Sequence, residues 1–150
     1  MLSATPIFTV NADLAAILRF GRTPYGERRV IDIEGGTVSG ARLKGRILRG
    51  GADWQIIRTD GTADIQARYT IEADNGGHIL VSSEGLRHGP PHVMEKLGRG
   101  ENVDPSQYYF RTVMRFETAD PAHAWLNNIL ALARGAREAQ SVRLDVYEVM

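Results

Sequence analysis

The residues best suited to chemistry in this sequence are dispersed acids, arginines and tyrosines: Asp53, Arg68, Arg87, Tyr109, Arg111 and Glu117, interleaved with Trp54, Tyr69 and Phe110. A carboxylate withdrawn from water is a candidate general base and a phenol a candidate proton donor. A guanidinium is a bidentate seat for a carboxylate or an enolate. The densest stretch is PSQYYFRTVMRFETAD, residues 105–120, in which no helix breaker intervenes between Pro105 and Pro121. Read as a strand, it places Tyr109, Arg111 and Val113 on one face and Tyr108, Phe110, Thr112, Met114 and Phe116 on the other. Both faces are too apolar for either to lie wholly in water. Arg111 is therefore expected to point inward with Tyr109, toward a carboxylate, a carbonyl or an anionic ligand.

On this reading Asp53 as base, Tyr109 as proton donor and Arg111 as anion seat form the candidate catalytic set. Trp54, Arg68, Tyr69, Arg87 and Phe110 form the candidate ligand-binding set. Each has a plainer alternative. Asp53 and Arg68 could make a cross-strand surface ion pair worth about a few tenths of a kcal/mol. Trp54 and Tyr69 could be core residues, Arg87 an ordinary loop charge, and Glu117 a charge that favours a following helix N-terminus.

Better-defined motifs are missing. A phosphate loop needs Gly-x4-Gly-Lys-Ser/Thr, and the nearest approach, Gly40 to Gly45, is followed by Arg46. Gly98-x-Gly100 ends in Val103 where a dinucleotide fingerprint needs glycine, and no Gly-x-Ser-x-Gly elbow surrounds Ser82-Ser83. His88 and His92 are separated by Pro90-Pro91 and cannot share a helix face, while His78 and His123 are expected to face solvent. Zinc normally takes three or four protein ligands, so no metal and no cofactor is expected.

Composition narrows the function classes. Eighteen Lys plus Arg balance eighteen Asp plus Glu, and no basic run exceeds two residues, which argues against a nucleic-acid partner. There is no cysteine, as suits a reducing compartment. The segment MLSATPIFTVNADLAAILRFG has no basic start, and Asn11 and Asp13 interrupt its apolar run. No signal peptide or membrane partner is expected, and the cytoplasm is the expected location. At 150 residues, one domain over 1–150 is the simplest organisation.

The elements that must position these residues read as all-β, because sixteen glycines punctuate short runs rich in Val, Ile, Thr and aromatics. The clearest hairpin is ADWQIIRTDGTADIQARYTIEA. With Asp60-Gly61 as a two-residue turn, Thr59 pairs with Thr62, Ile56 with Ile65, Trp54 with Ala67 and Asp53 with Arg68. RRVIDIEGG and ARLKGRILRGG predict two strands meeting at a tight glycine corner. DNGG at 74–77 leads into HILVSSEG, and SVRLDVYEVM predicts a closing strand with Val142, Leu144 and Val146 on one side. Residues 86–106 predict a long loop with a helical turn at VMEKLG. One α-helix is predicted over about 121–134. Asp120 would be its N-cap, Pro121 its first residue and Gly135 its C-cap, with an apolar stripe of Ala122, Trp125, Leu126, Ile129, Leu130 and Ala133.

In order along the chain, GG at 35–36, GGADW at 50–54, DG at 60–61, ARYT at 67–70, YYFRT at 108–112, FET at 116–118, WLN at 125–127 and the closing VYEV resemble the DUF3237 (UPF0311) family. The resemblance implies one antiparallel closed β-barrel domain, calycin-like, of about 8–10 strands, whose first strand runs long, so residues 11–18 are read as strand. It implies no assigned reaction. Its recurring positions here are Asp53, Trp54, Arg68, Tyr69, Tyr109, Arg111 and Thr112. A barrel of that size can enclose a small-molecule ligand. The expected function is a cofactor-independent lyase or isomerase acting on a small carboxylate or enolisable substrate. A non-catalytic carrier for an apolar or aromatic acid is the alternative, and a structural dimeric barrel, a homodimer, is the second.

Overall fold

A computed structural model describes residues 1–150. Ten strands make one antiparallel sheet: β1 (Phe8–Leu14), β2 (Leu18–Thr23), β3 (Gly26–Ser39), β4 (Lys44–Ile47), β5 (Gly51–Ile57), β6 (Ala63–Ala73), β7 (His78–His88), β8 (Tyr109–Thr118), β9 (Leu130–Arg137) and β10 (Ser141–Val149). The sheet closes on itself because β1 pairs with β10 on one side and with the second half of β3 on the other. β4 and β5 share the place between β3 and β6, and β2 extends the first half of β3. The result is an eight-stranded closed barrel with additional strands. Closure pairs the barrel strands with neighbours on both sides, while β2, paired only with β3, remains an edge strand.

Alternation along β6 shows why it lies where it does. Ala63, Ile65, Ala67, Tyr69, Ile71 and Ala73 are buried while Gln66 and Arg68 face solvent, the two-residue period of a half-buried strand. β10 obeys the same rule, with Leu144 and Val146 inside. One end of the barrel is filled by hydrocarbon: Phe8 and Phe116 meet edge to face at 5.7 Å, in one apolar cluster with Ile71, Ile79 and Leu126. Burying a side chain of that size contributes about 1.5–3 kcal/mol.

The single strand expected over 11–18 is divided: residues 11–14 end β1, 15–17 form a connection, and Leu18 starts β2. The expected corner at GGTVSG is instead a continuation of β3. Gly36 (φ +136°) passes the β1 backbone so closely that a Cβ there would lie 2.0 Å from the Asn11 carbonyl oxygen. The long loop expected at 86–106 is also shorter, since β7 runs on to His88 and an α-helix, α1, occupies Pro91–Gly98. Its Val93 joins the core.

The predicted helix over 121–134 does not form. Pro121–Asn128 is a 3-10 segment kinked at His123, and residues from Leu130 onward are β9. Asp120 does cap the segment, accepting from the Ala122 N–H at 3.1 Å. Asn127, however, folds back to accept from the Thr118 N–H and donate to its carbonyl, and eight register pairs to β10 claim the rest. The apolar stripe read as helical is divided between Leu126, which fills the barrel end, and alternate positions of a strand.

Candidate functional site

The site begins with a turn. The chain closes the β5–β6 hairpin with a three-residue loop: Gly61 N–H donates to the Arg58 carbonyl, and Arg58 N–H donates to the Thr62 carbonyl, each at 2.9 Å. Asp60 keeps negative φ and only Gly61, at φ +86°, is left-handed, as a type I turn with a glycine bulge requires. The Asp60 carboxylate accepts from the Thr62 N–H at 2.9 Å and is held below the usual carboxylate range by that bond. The two-residue turn expected from Asp60-Gly61 is thereby corrected, and the register moves by one. Asp53 pairs with Ala67 rather than Arg68, and Ala52 pairs with Arg68. A one-residue slip exchanges faces. Asp53 and Gln55 consequently face the barrel interior, and Trp54, 42% exposed, lies outside.

Gln55 is fully buried and bridges a charged pair. Its amide oxygen accepts from Arg29 Nε at 3.0 Å and also from Arg29 Nη2, and its amide nitrogen donates to Asp53 Oδ2 at 2.8 Å. Asp53 Oδ1 accepts from the Gln66 N–H at 3.0 Å, where the β5–β6 ladder is interrupted. Each carboxylate oxygen has further acceptor capacity that can serve a ligand. Burial pushes the Asp53 carboxyl above its ordinary value, partly offset by these two hydrogen bonds and by Arg87 and Arg29.

Arg87, in β7, is buried and makes no salt bridge or hydrogen bond; its guanidinium lies 5.5 Å from the centre of the Phe110 ring. Burial first, then Arg137 and Arg29, lower its pKa to about 10. Arg137, at the end of β9, donates from Nη1 to the Ser141 carbonyl, and its backbone N–H donates to the Tyr108 hydroxyl at 2.9 Å. Burial lowers the pKa values of Arg29 and Arg137 as well. Thus three guanidiniums, those of Arg29, Arg87 and Arg137, face one carboxylate, that of Asp53.

These groups surround a cavity of two parts. An inner chamber of about 60 Å³ is lined by Asp53, Gln55, Tyr69, Arg87, Thr112 and Arg137 among aliphatic side chains. An outer recess of about 410 Å³, bounded by Met94 and Leu97 of α1 and by Arg29, shares Arg87 and Arg137 with the chamber. The two arginines therefore stand at the neck between recess and chamber.

Of the eight candidate catalytic and ligand-binding residues, Asp53, Tyr69, Arg87 and Phe110 line the chamber, and Arg87 belongs to a strand rather than a loop. The other four are outside it. Arg68 is exposed on the outer face and makes no ion pair with Asp53. Tyr109, 46% exposed, stacks on His88 at 5.0 Å, and Arg111 lies 5.3 Å from the Tyr109 ring while donating to the Phe110 carbonyl at 2.9 Å. The expectation that Arg111 and Tyr109 point inward is thus corrected: β8 turns Phe110, Thr112, Met114 and Phe116 to the interior. Arg111 instead borders an outer groove with Val113, Leu132 and Tyr147.

Arg29, Gln55 and Arg137 escaped the sequence reading. Gln55 could have been found from its two-residue spacing to Asp53. Arg137 was hidden by the helical reading, since in β9 it continues the inward row Ala131, Ala133, Gly135. His123 is also inside rather than solvent-facing: its Nδ1 lies 2.6 Å from Asp120 Oδ2, and this bond holds the Asp120 carboxyl below its usual range. No three His, Asp or Glu side chains cluster to hold a metal ion, and no helix is long and apolar enough to cross a membrane.

Fold and cavity together define a closed β-barrel with a small internal chamber at one end. The sequence profile of the family described as "Protein of unknown function (DUF3237)" matches residues 2–149, and the chain belongs to that family. It is 42% identical over 144 residues to a UPF0311 protein of Bradyrhizobium diazoefficiens, covering 96% of this chain and 94% of that one. The crystal structure of a conserved protein of unknown function from Rhodopseudomonas palustris superposes with a TM-score of 0.93 at 40% identity, covering 100% of this chain and 98% of that one. A β-barrel-like protein from Acinetobacter baumannii AYE superposes with a TM-score of 0.86 at 39% identity, covering 100% and 97% of the two chains.

Proposed function

We propose that the protein binds a small organic anion at the neck of its barrel and carries out cofactor-independent proton transfer on it, as a lyase or isomerase of an enolisable carboxylate. The observation that carries this reading is Arg87. A buried guanidinium without a carboxylate, carbonyl or hydroxyl partner is costly, and an anionic ligand is the partner that offsets the cost. Arg137 at the same neck allows a second contact to the anion. Asp53 supplies the base. Desolvation makes its carboxylate more basic than an exposed one, and the Arg29–Gln55 relay fixes its orientation. Apolar walls suit a ligand whose body is hydrocarbon.

The reading is tested with small carboxylic acids by calorimetry and by solvent deuterium incorporation. Wild type is expected to bind them and to exchange protons next to the carbonyl group. Arg87→Met should weaken binding about a hundredfold, as for a lost charge-assisted pair, and Asp53→Asn should retain binding and lose exchange. Equal binding by wild type and Arg87→Met would remove the anion seat. Binding without exchange would leave a carrier rather than a catalyst.

A further inference from the structure

Three buried side-chain polar atoms in the whole molecule lack a hydrogen-bond partner: Arg87 Nε, Tyr69 Oη and Thr112 Oγ1. All three residues line the same chamber of about 60 Å³. Buried polar groups are almost always satisfied, and confinement of the exceptions to one cavity points to a ligand that satisfies them together. Tyr69 and Thr112 are respectively 4% and 2% exposed, so a partner for either hydroxyl has to sit inside the chamber.

Strand register orders these groups along the chamber. Arg87 pairs with Ala63 and Phe110 in the layer at the mouth, and Thr112 lies in the next layer, opposite Gly85. Asp53 is beside Ala67 one layer further in, and Tyr69 is beside Val81 one layer beyond that. Asp53 therefore lies between Thr112, the hydroxyl next to the anion seat, and Tyr69, the hydroxyl deepest in the chamber. Burial raises the Tyr69 phenol above its ordinary value, so it remains an O–H donor throughout the physiological range. Two hydroxyl donors opening on one chamber with room for only a few non-hydrogen atoms suit an acceptor oxygen beside the base.

We infer that the substrate is an oxo acid, whose carboxylate sits at Arg87 and whose ketone oxygen is received by the Tyr69 and Thr112 hydroxyls. This inference rests on the anion-binding reading and gives it a substrate class. In the step, Asp53 removes a proton from the carbon beside the ketone. The C–H electron pair becomes the C=C bond of an enolate, and the carbonyl π pair moves to oxygen, where the two O–H groups stabilise the charge. In an oxo acid with a C=C bond next to that carbon the charge spreads over a dienolate. Return of the proton from Asp53 to its far carbon shifts the double bond, an isomerisation without oxidant or reductant.

The test compares 4-oxopentanoate with pentanoate, two acids that differ in the ketone. Wild type should bind the oxo acid about tenfold more tightly, the worth of one or two net hydrogen bonds. In Tyr69→Phe and in Thr112→Val the ratio should fall toward one while affinity for pentanoate stays unchanged. Each variant deletes a hydroxyl that has no partner in the fold, so both should fold, and either alone suffices. Equal wild-type affinity for the two acids, with Arg87→Met abolishing both, would overturn the hydroxyl assignment and leave the anion reading standing. Binding of neither acid would overturn both.

Discussion

At the scale of single residues the cavity contains groups that folding alone does not favour. Asp53, Arg87 and Tyr69 all have pKa values displaced by burial toward their neutral forms. The sign of the Asp53 shift fixes a pH dependence. The folded chain holds this proton more tightly than the unfolded one, so the carboxyl's contribution to stability is fully present below its ordinary value of 3.8. It is lost as pH rises through the elevated folded value. Proton abstraction, which needs the ionised form, should rise through that same value. Its midpoint in a rate–pH profile is therefore expected above 3.8, and the difference in urea stability between wild type and Asp53→Asn should change over the same window. Arg87→Met should do the reverse of what its burial suggests. Replacing an unpartnered buried cation with a side chain of similar length is expected to raise unfolding free energy by about 1–4 kcal/mol in urea melts of the ligand-free protein. A loss of stability instead would mean that the guanidinium is satisfied within the fold.

Among the elements, the β8–β9 pairing decides the shape of the mouth. The Phe110 ring lies on the backbone of Gly135, and a Cβ there would meet Phe110 Cδ1 and Cγ at 2.6 Å. Gly135→Ala should therefore destabilise the barrel by about 1–3 kcal/mol. It should also weaken anion binding, because the displaced ring lines the chamber and faces Arg87. Gly98→Ala is the control. Nothing lies within 4 Å of its added methyl, and at the end of α1 alanine should be neutral or better by about 0.5–1 kcal/mol. Calorimetric affinity and thermal melts of the two variants separate these outcomes. The same glycine shows why β9 was misread. Ala131, Ala133 and Gly135 are buried while Leu130 is 48% exposed, the inverse of the usual pattern. Bulky Phe110 and Met114 on β8 occupy the interior opposite, so this part of the wall takes small residues. Leu130 with Ala122, Leu126 and Ala133 then mimics a helical stripe.

For the molecule as a whole, a ligand that binds only the closed barrel must stabilise it. At a concentration one hundred times Kd the gain is about 2.7 kcal/mol, which for a domain of this size corresponds to roughly 5–10 °C in Tm. Small carboxylates should give that shift in thermal melts, and neutral amides of the same shape should not. Amides that stabilise equally would show that the neck does not read charge. Closure also ties the two ends of the chain together, since Phe8 pairs with Val146. The chamber is complete only once this pairing of sequence-distant strands has formed.

Turn chemistry, strand alternation and family pattern were legible in the chain itself: the all-β class, the hairpins around Gly61 and Gly76, and the selection of Asp53, Tyr69, Arg87 and Phe110, which line the chamber. These depend on local conformational preference and a two-residue period, which the sequence carries without knowledge of neighbours. What only tertiary structure decided was facing. A third residue in the Thr59–Gly61 loop turned Asp53 inward and Trp54 outward, and β8 sent Arg111 and Tyr109 to the outside. The partnership of Arg29, Gln55 and Arg137 with Asp53 likewise arose from strands distant in sequence. Residues apolar enough for either face leave the choice to whichever register buries the most surface and satisfies the most hydrogen bonds across the whole barrel, and no single strand contains that sum.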